Sequence, residues 1–255
     1  MGVWVFEDCR FLACRRVVRY LLIAVTLDGH GDLRKCDEDS LVTGSVVVAI
    51  LRAHVKLDHP QPRHIGRTVE ALRSGGLAVY PTDTTYGLGC DLYARRSVER
   101  IYQLKGMDSK KPMSFLCSNL SEVARYAVIE NRNYRILRHH LPGKYTFILP
   151  ASREVPKIVQ SKRRTVGVRI PDSPVCLALV RELGHPLITT TAAREVDGTM
   201  AYTNDPDDVM KAFSRSVDVF LDAGGLYGEP STVVDLTGDT PVVLRQGSGD
   251  TSWIE

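Results

Sequence analysis

From Pro62 onward the sequence is a series of short apolar runs, rich in Val, Ile, Leu and Thr, and few architectures can accommodate it. The runs are Leu77–Tyr80, Met113–Cys117, Tyr145–Leu149, Thr165–Ile170, Leu187–Thr191, Val217–Leu221, Thr232–Leu236 and Val242–Leu244. Each is too short for a buried helix and suits a strand. Helix-period stretches separate the early runs. Ile65, Val69 and Leu72 lie on one helical face, ended by Gly75-Gly76. Ser97 is a candidate cap for a helix carrying Val98, Ile101, Tyr102 and Leu104, and further helices are expected over Ser121–Ala127 and Arg132–His139. Ser173-Pro174 and Asp205-Pro206 place a cap before a proline at the first helical position, and Gly184 closes the first of these helices. Helices alternate with strands early and strands dominate late, so the expected fold is α/β (α+β): an open, twisted mixed sheet flanked by helices. Pro81–Leu92 reads as a polar loop between a strand and a helix.

Residues 1–60 differ in character. The apolar stretch within Val17–Leu27 is far shorter than the roughly 20 residues of a membrane span, and Glu7 and Asp8 before it make a poor signal peptide. Asp28–Ser40 is a polar break, and Leu41–Leu51 is compatible with a strand or a helical turn. The reading is an N-terminal extension of uncertain structure, 1–60, followed by one domain, 61–255. The net charge of +3 is too small to argue by itself for nucleic acid or an anionic membrane. The six cysteines form no C-x-x-C pair, and Cys90, Cys117 and Cys176 sit in or beside apolar runs. They read as buried thiols of a cytoplasmic protein, with no metal site.

No phosphate loop, nucleophile elbow or H-E-x-x-H motif is present. What the chain carries instead is a set of hydroxyl- and cation-rich segments at strand ends. They are Pro81-Thr-Asp-Thr-Thr-Tyr-Gly-Leu-Gly-Cys90, the lysine-rich Lys105–Pro112, Lys162–Pro171, Thr189-Thr-Thr191, and Ser231-Thr232 with Arg245. Arg169 falls inside an apolar strand pattern, so it must be paired or face a cleft, because a lone buried charge is costly. Together these segments suit a polar, cationic ligand site at strand ends.

Their order resembles the Sua5/YciO/YrdC family. The matching blocks are PTDTTYGLGCDL (81–92), LK followed by KKP (104–112), LPGKYTFIL (141–149), TVGVRIPDSP (165–174), GGLYGEPSTVVDLT (224–237) and PVVLRQGSGD (241–250), and the wording is most similar to the YciO-like branch. The resemblance implies a YrdC/RibB-like fold with a concave basic cleft. It implies condensation of ATP (as its Mg2+ complex), L-threonine and bicarbonate to threonylcarbamoyl-AMP, the precursor of a tRNA adenosine modification. The alternative is a nucleotide- or double-stranded-RNA-binding protein without synthase activity. By resemblance, Lys105 is catalytic, Thr84, Arg169, Thr189 and Ser231 lie on the threonine side, and Lys111, Thr165, Thr191 and Arg245 on the nucleotide side. No tightly bound cofactor is implied. Three positions depart from the pattern of the synthases. Met107 replaces the arginine of a K-x-R motif, Thr189-Thr190-Thr191 replaces S-x-N, and Leu116 stands where a histidine is frequent.

Overall fold

The computed structural model describes residues 25–27, 33–35, 50–106, 113–159, 162–196, 199–201 and 204–254. The chain divides into two compact units, residues 1–49 and residues 50–255. In the first, β1 (Val25–Leu27) and β2 (Leu33–Lys35) form an antiparallel pair.

The second unit is built on a mixed sheet of ten strands. In chain order these are β3 (Leu51–His54), β4 (Leu77–Pro81), β5 (Tyr86–Asp91), β6 (Ser114–Leu116), β7 (Tyr145–Pro150), β8 (Thr165–Arg169), β9 (Leu187–Thr191), β12 (Val219–Asp222), β13 (Thr232–Asp235) and β14 (Val242–Arg245). Across the sheet they run β14-β13-β7-β8-β6-β9-β5-β4-β12-β3. A separate hairpin joins β10 (Arg194–Val196) to β11 (Thr199–Ala201). Six helices complete the described residues: α1 (Pro62–Arg73), α2 (Arg95–Leu104), α3 (Leu120–Tyr126), α4 (Asn131–His140), α5 (Pro174–Leu183) and α6 (Pro206–Phe213).

Strand alternation assigns every side chain to one of two faces. On one face Leu88, Phe115, Phe147, Val168, Ile188 and Phe220 are buried against α2, α3, α4 and α6. On the other, Ala78, Tyr80, Leu116, Leu187, Val219 and Leu221 pack under α1 and α5. Two helices cannot cover ten strands. The helix cover of the second face therefore centres on β4, β12 and β3 and reaches Leu187 of β9 and Leu116 of β6.

The expected strands and helices are present with shifted ends. Helix α2 starts before Ser97, with Ala94 at its cap position. Ser97 lies inside the helix, where its hydroxyl donates to the Gly75 carbonyl and ties α2 to the end of α1. The cap of α3 is Asn119, whose side chain accepts from the Glu122 N–H. Ser173 and Asp205 cap α5 and α6 as expected, and Gly184 takes the left-handed conformation that ends α5. The larger correction is Pro81–Leu92. Only 82–85 is a turn, while Tyr86–Asp91 is a fully buried central strand between β4 and β9. Its glycines weaken the strand pattern in the sequence, yet they are what lets Tyr80 lie flat across it. A methyl group on Gly87 would stand 2.9 Å from the Tyr80 ring, and one on Gly89 2.5 Å from Leu187. Strand β3 pairs with β12 at the sheet edge, so the sequence boundary at residues 60 and 61 falls between β3 and α1. Residues 41–49, most of the Leu41–Leu51 run, lie outside the described residues. So do Cys9, Cys14 and Cys36, while Cys90, Cys117 and Cys176 are buried free thiols. Burial pushes the Cys176 thiol up to about 12, so it stays protonated.

Candidate functional site

The half-face that α1 and α5 leave uncovered is where the chemistry-bearing residues gather. One register row crosses six strands: Ala78, Gly89, Thr189, Ser114, Gly167 and Ile148 face the same way. Apart from Ile148 at its end, the row is built of small or hydroxylated side chains, so it forms a low floor. The next same-face positions add Thr191 opposite Gly87 and Thr165 opposite Pro150 on one side of the row, and Arg245 opposite Val233 on the other. Ser114, Ile148, Thr165, Thr191, Val233 and Arg245 are only half-buried, while their neighbours on the other face, Phe115, Phe147, Val166, Val168 and Val234, are buried. Five of the candidate residues from the sequence (Thr165, Arg169, Thr189, Thr191 and Arg245) therefore share one face of the sheet.

Arg169 ends β8 at the rim of this floor, with its side chain 10% exposed. Its Nη2 donates to Asp83 Oδ1 at 2.5 Å, to Thr84 Oγ1 at 2.8 Å and to Thr82 Oγ1 at 3.4 Å. The turn 82–85 is thereby folded onto β8. Asp83 is held from its other oxygen by the Asp172 N–H at 3.2 Å. The Arg169 Nε–H is buried and has no hydrogen-bond partner. A buried guanidinium donor without an acceptor is costly, and it is the polar group a ligand carboxylate would satisfy.

Thr189 shares a 2.6 Å hydrogen bond with the Tyr80 hydroxyl, which reaches it across the intervening strand β5. Burial holds that phenol well above the ordinary tyrosine value, so it remains a neutral donor. Ser231, just before β13, shares a 2.9 Å hydrogen bond with Thr146, and Arg245 Nη2 donates to the Ser231 carbonyl at 2.8 Å. The loop that precedes Ser231 packs against the Thr84 turn at Gly228. A side chain on Gly228 would collide with the Thr84 backbone, 2.6 Å from its carbonyl oxygen. Lys105 closes the far edge. Its ammonium is buried and donates to the carbonyls of Thr191, at 2.9 Å, and of Ala193, fixing the chain as it leaves β9.

This arrangement can be set beside known proteins. The family model for Sua5_yciO_yrdC, described as telomere recombination, matches residues 70–247. The uncharacterized protein YciO of Escherichia coli is 38% identical over 198 residues, covering 77% of this chain and 95% of that protein. The chain belongs to the Sua5/YciO/YrdC family. The crystal structure of E. coli YciO superposes with a TM-score of 0.76 at 36% identity, covering 81% of this chain and 100% of that one. A putative threonylcarbamoyl-AMP synthase of Methanocaldococcus jannaschii is 30% identical over 175 residues, 68% of this chain and 81% of that protein. The Pyrococcus abyssi Sua5 structure complexed with L-threonine superposes with a TM-score of 0.71 at 27% identity, covering 77% of this chain and 57% of that one.

Within the family fold, the site residues expected from sequence fall into three contacts: Thr84 with Arg169, Ser231 with Arg245, and Lys105 with the Thr191 carbonyl. Thr165 stands at the start of β8 on the open face, and Thr189 faces Tyr80. Lys111 and Met107 lie outside the described residues. Sequence reasoning did not single out Asp83, Tyr80, Ser114, Thr146 or Gly167. Asp83 was visible only as the acid of a polar loop, and nothing local in the sequence ties it to an arginine 86 positions away. The remaining residues were readable from strand period once the register was known. Among the described residues no cluster of three metal-ligating side chains occurs, and no helix is long and apolar enough to cross a membrane.

Proposed function

We propose that the open half-face is a threonylcarbamoyl-AMP synthase-like site that takes L-threonine, bicarbonate and MgATP. The observation that carries this reading is the buried Arg169 Nε–H, left without a partner beside the Thr84 hydroxyl at the rim of a floor of small and hydroxylated residues. In this reading the threonine carboxylate takes the Nε edge of Arg169. Its amine points along the floor toward Thr189 and Ser114. The amine attacks the carbon of bicarbonate, water leaves, and a carbamate forms. A carbamate oxygen then attacks the α-phosphorus of ATP, the bond to the β-phosphate oxygen breaks, and pyrophosphate leaves. Thr165, Ser231 and Arg245 lie along the path open to the nucleotide, and Arg245 brings a cation to the phosphates. Magnesium arrives with the nucleotide, whose phosphate oxygens supply most of its ligands. Lys105 orders the end of β9 with two of its three N–H bonds. The L-threonine complex of Pyrococcus Sua5 and the synthase names of the archaeal relatives support the substrate class. The test is incubation of purified protein with MgATP, L-threonine and bicarbonate, with mass-spectrometric detection of threonylcarbamoyl-AMP and a colorimetric assay of pyrophosphate. Product from the native chain that is absent with Arg169→Ala supports the reading. Threonine and ATP bound without either product limits the site to binding.

A second reading rests on a specific placement. Lys162, Arg163 and Arg164 are all exposed immediately before Thr165, at the mouth of the open face. They suit the phosphates of a double-stranded RNA. RNA affinity should then fall steeply with salt, a slope near −0.7 to −0.9 per neutralised phosphate, and affinity unchanged from low to moderate salt would rule the groove out.

A further inference from the structure

A second polar cavity lies beyond the end of β5, beside the end of α1 and the start of α2. It has a volume of about 590 Å³ and is walled by Arg73, Arg95, Arg96 and Arg100, with Tyr93 and Asp91 at its side. Its wall residue Asp91 shares a register row with Leu187, Leu116 and Arg169 but lies three strands away from Arg169, roughly 14 Å at ~4.8 Å per strand, so it is not part of the open half-face. The charges around it are unbalanced. Helix α1 carries Arg63, Arg67 and Arg73 against Glu70 alone, and α2 carries Arg95, Arg96 and Arg100 against Glu99 alone. Arg95 pairs with Glu99 at 3.0 Å, and Arg100 lies 3.6 Å from Asp218. Arg73 is held by neutral acceptors, the carbonyls of Glu182 and Leu183 at the end of α5. Among the described residues Arg96 has no acidic partner, and Arg73 acts on Asp91 through its charge alone, with no ion pair between them. The one carboxylate on the wall, Asp91, is taken inward by His185 at 3.5 Å and by the Tyr93 N–H at 2.8 Å. Helix α2 opens onto the same space with no side-chain cap and no acid in its first turn, which adds to the positive potential. The Tyr93 ring is 62% exposed and is steadied from one side by an edge contact with His185, ring centroids 4.9 Å apart.

We infer that this cavity binds a nucleoside phosphate, with the phosphate on Arg73 and Arg96 and the base against Tyr93. Two exposed guanidinium groups, neither in an ion pair with a carboxylate, match a phosphate, and an exposed, pre-positioned aromatic ring offers a stacking face. The volume lies within the range of small-molecule sites. The site requires nothing of the proposed synthase chemistry.

The test is calorimetric titration of the full chain with AMP, inorganic phosphate and adenosine, on the native protein and on Arg96→Glu, Arg73→Gln and Tyr93→Ala. AMP should bind more tightly than phosphate, and adenosine weakest. Arg96→Glu should weaken AMP about tenfold or more, the loss of one charge-assisted bond. Arg73→Gln provides the check by a second residue, with circular dichroism confirming that α5 keeps its end. AMP affinity unchanged in both arginine variants overturns the inference. So does AMP binding that is lost in Arg245→Ala but intact in Arg96→Glu, because such binding belongs to the open face. Phosphate bound as tightly as AMP, with Tyr93→Ala silent, overturns the nucleoside part.

Discussion

Replacing Arg169 with methionine tests stability and ligand recognition at once, because one side chain serves both. Methionine keeps most of the stem and removes the guanidinium. Asp83 is then left with its side chain 5% exposed and with one long hydrogen bond, from the Asp172 N–H at 3.2 Å. Stripping one partner from a buried ion pair costs about 3–5 kcal/mol. The pair lies at the rim of an open floor, so the low end applies, about 3 kcal/mol. For a unit of this size that is a fall in Tm of roughly 6–12 °C. Adding Asp83→Asn removes the stranded charge and should restore more than half of the loss, giving a coupling of about 1–3 kcal/mol in the double-mutant cycle. The assay is thermal unfolding by circular dichroism on the native protein, both single variants and the double variant, with an L-threonine titration on each. Threonine affinity should be absent from Arg169→Met and from the stable double variant, while Asp83→Asn retains it. Arg169→Lys should not rescue it, because an ammonium cannot present the Nε edge. An Arg169→Met protein that melts within about 2 °C of native would refute the ion-pair argument. One that still binds threonine would refute the carboxylate reading, whatever its stability.

Two other perturbations probe the frame of the site. Gly89→Ala places a methyl 2.5 Å from Leu187 Cδ2, 2.6 Å from the Ile188 carbonyl oxygen and 2.9 Å from the Tyr80 hydroxyl. It should cost about 1–3 kcal/mol by overpacking and displace Tyr80 from Thr189; wild-type stability in urea unfolding would mean the floor is looser than its register implies. The hydrogen bond to Asp91 raises the pKa of His185 above 6.5. Burial pushes the Asp91 carboxyl upward, but the bonds from His185 and the Tyr93 N–H, with the charges of His185 and Arg73, together hold the group below 3.8. The histidine's contribution to stability is complete below its unfolded value and is lost as pH rises through its folded one. The aspartate's contribution is present above its unfolded value and is lost as pH falls through its folded one. His185→Gln should therefore flatten the loss of Tm on raising the pH from 6 to 8. An unchanged slope would count against the pair.

Local sequence was enough for the kinds of element and for most of the residues that carry chemistry. Strand runs, the Ser173 and Asp205 caps and the Gly184 stop depend on interactions within a few residues, and those are written in the chain. An arginine inside an apolar strand announces a paired or ligand-facing charge wherever it lies, and Arg169 proved to be both, with Asp83 on Nη2 and an unsatisfied Nε. Strand β5 was illegible because Gly87 and Gly89 carry no side chain to show alternation. Its strand character comes from β4 and β9 on either side and from the Tyr80 ring that needs the space. The site as a place was also a tertiary decision. Thr165, Thr189 and Ser114 become one floor only through register across three strands, and they stay open only because α1 and α5 cover the other end of that face. Pairings over 80 or more positions, such as Arg169 with Asp83 or Lys105 with Thr191, leave no local trace. Their energy arises from burial and geometry that exist only once the sheet has closed around them.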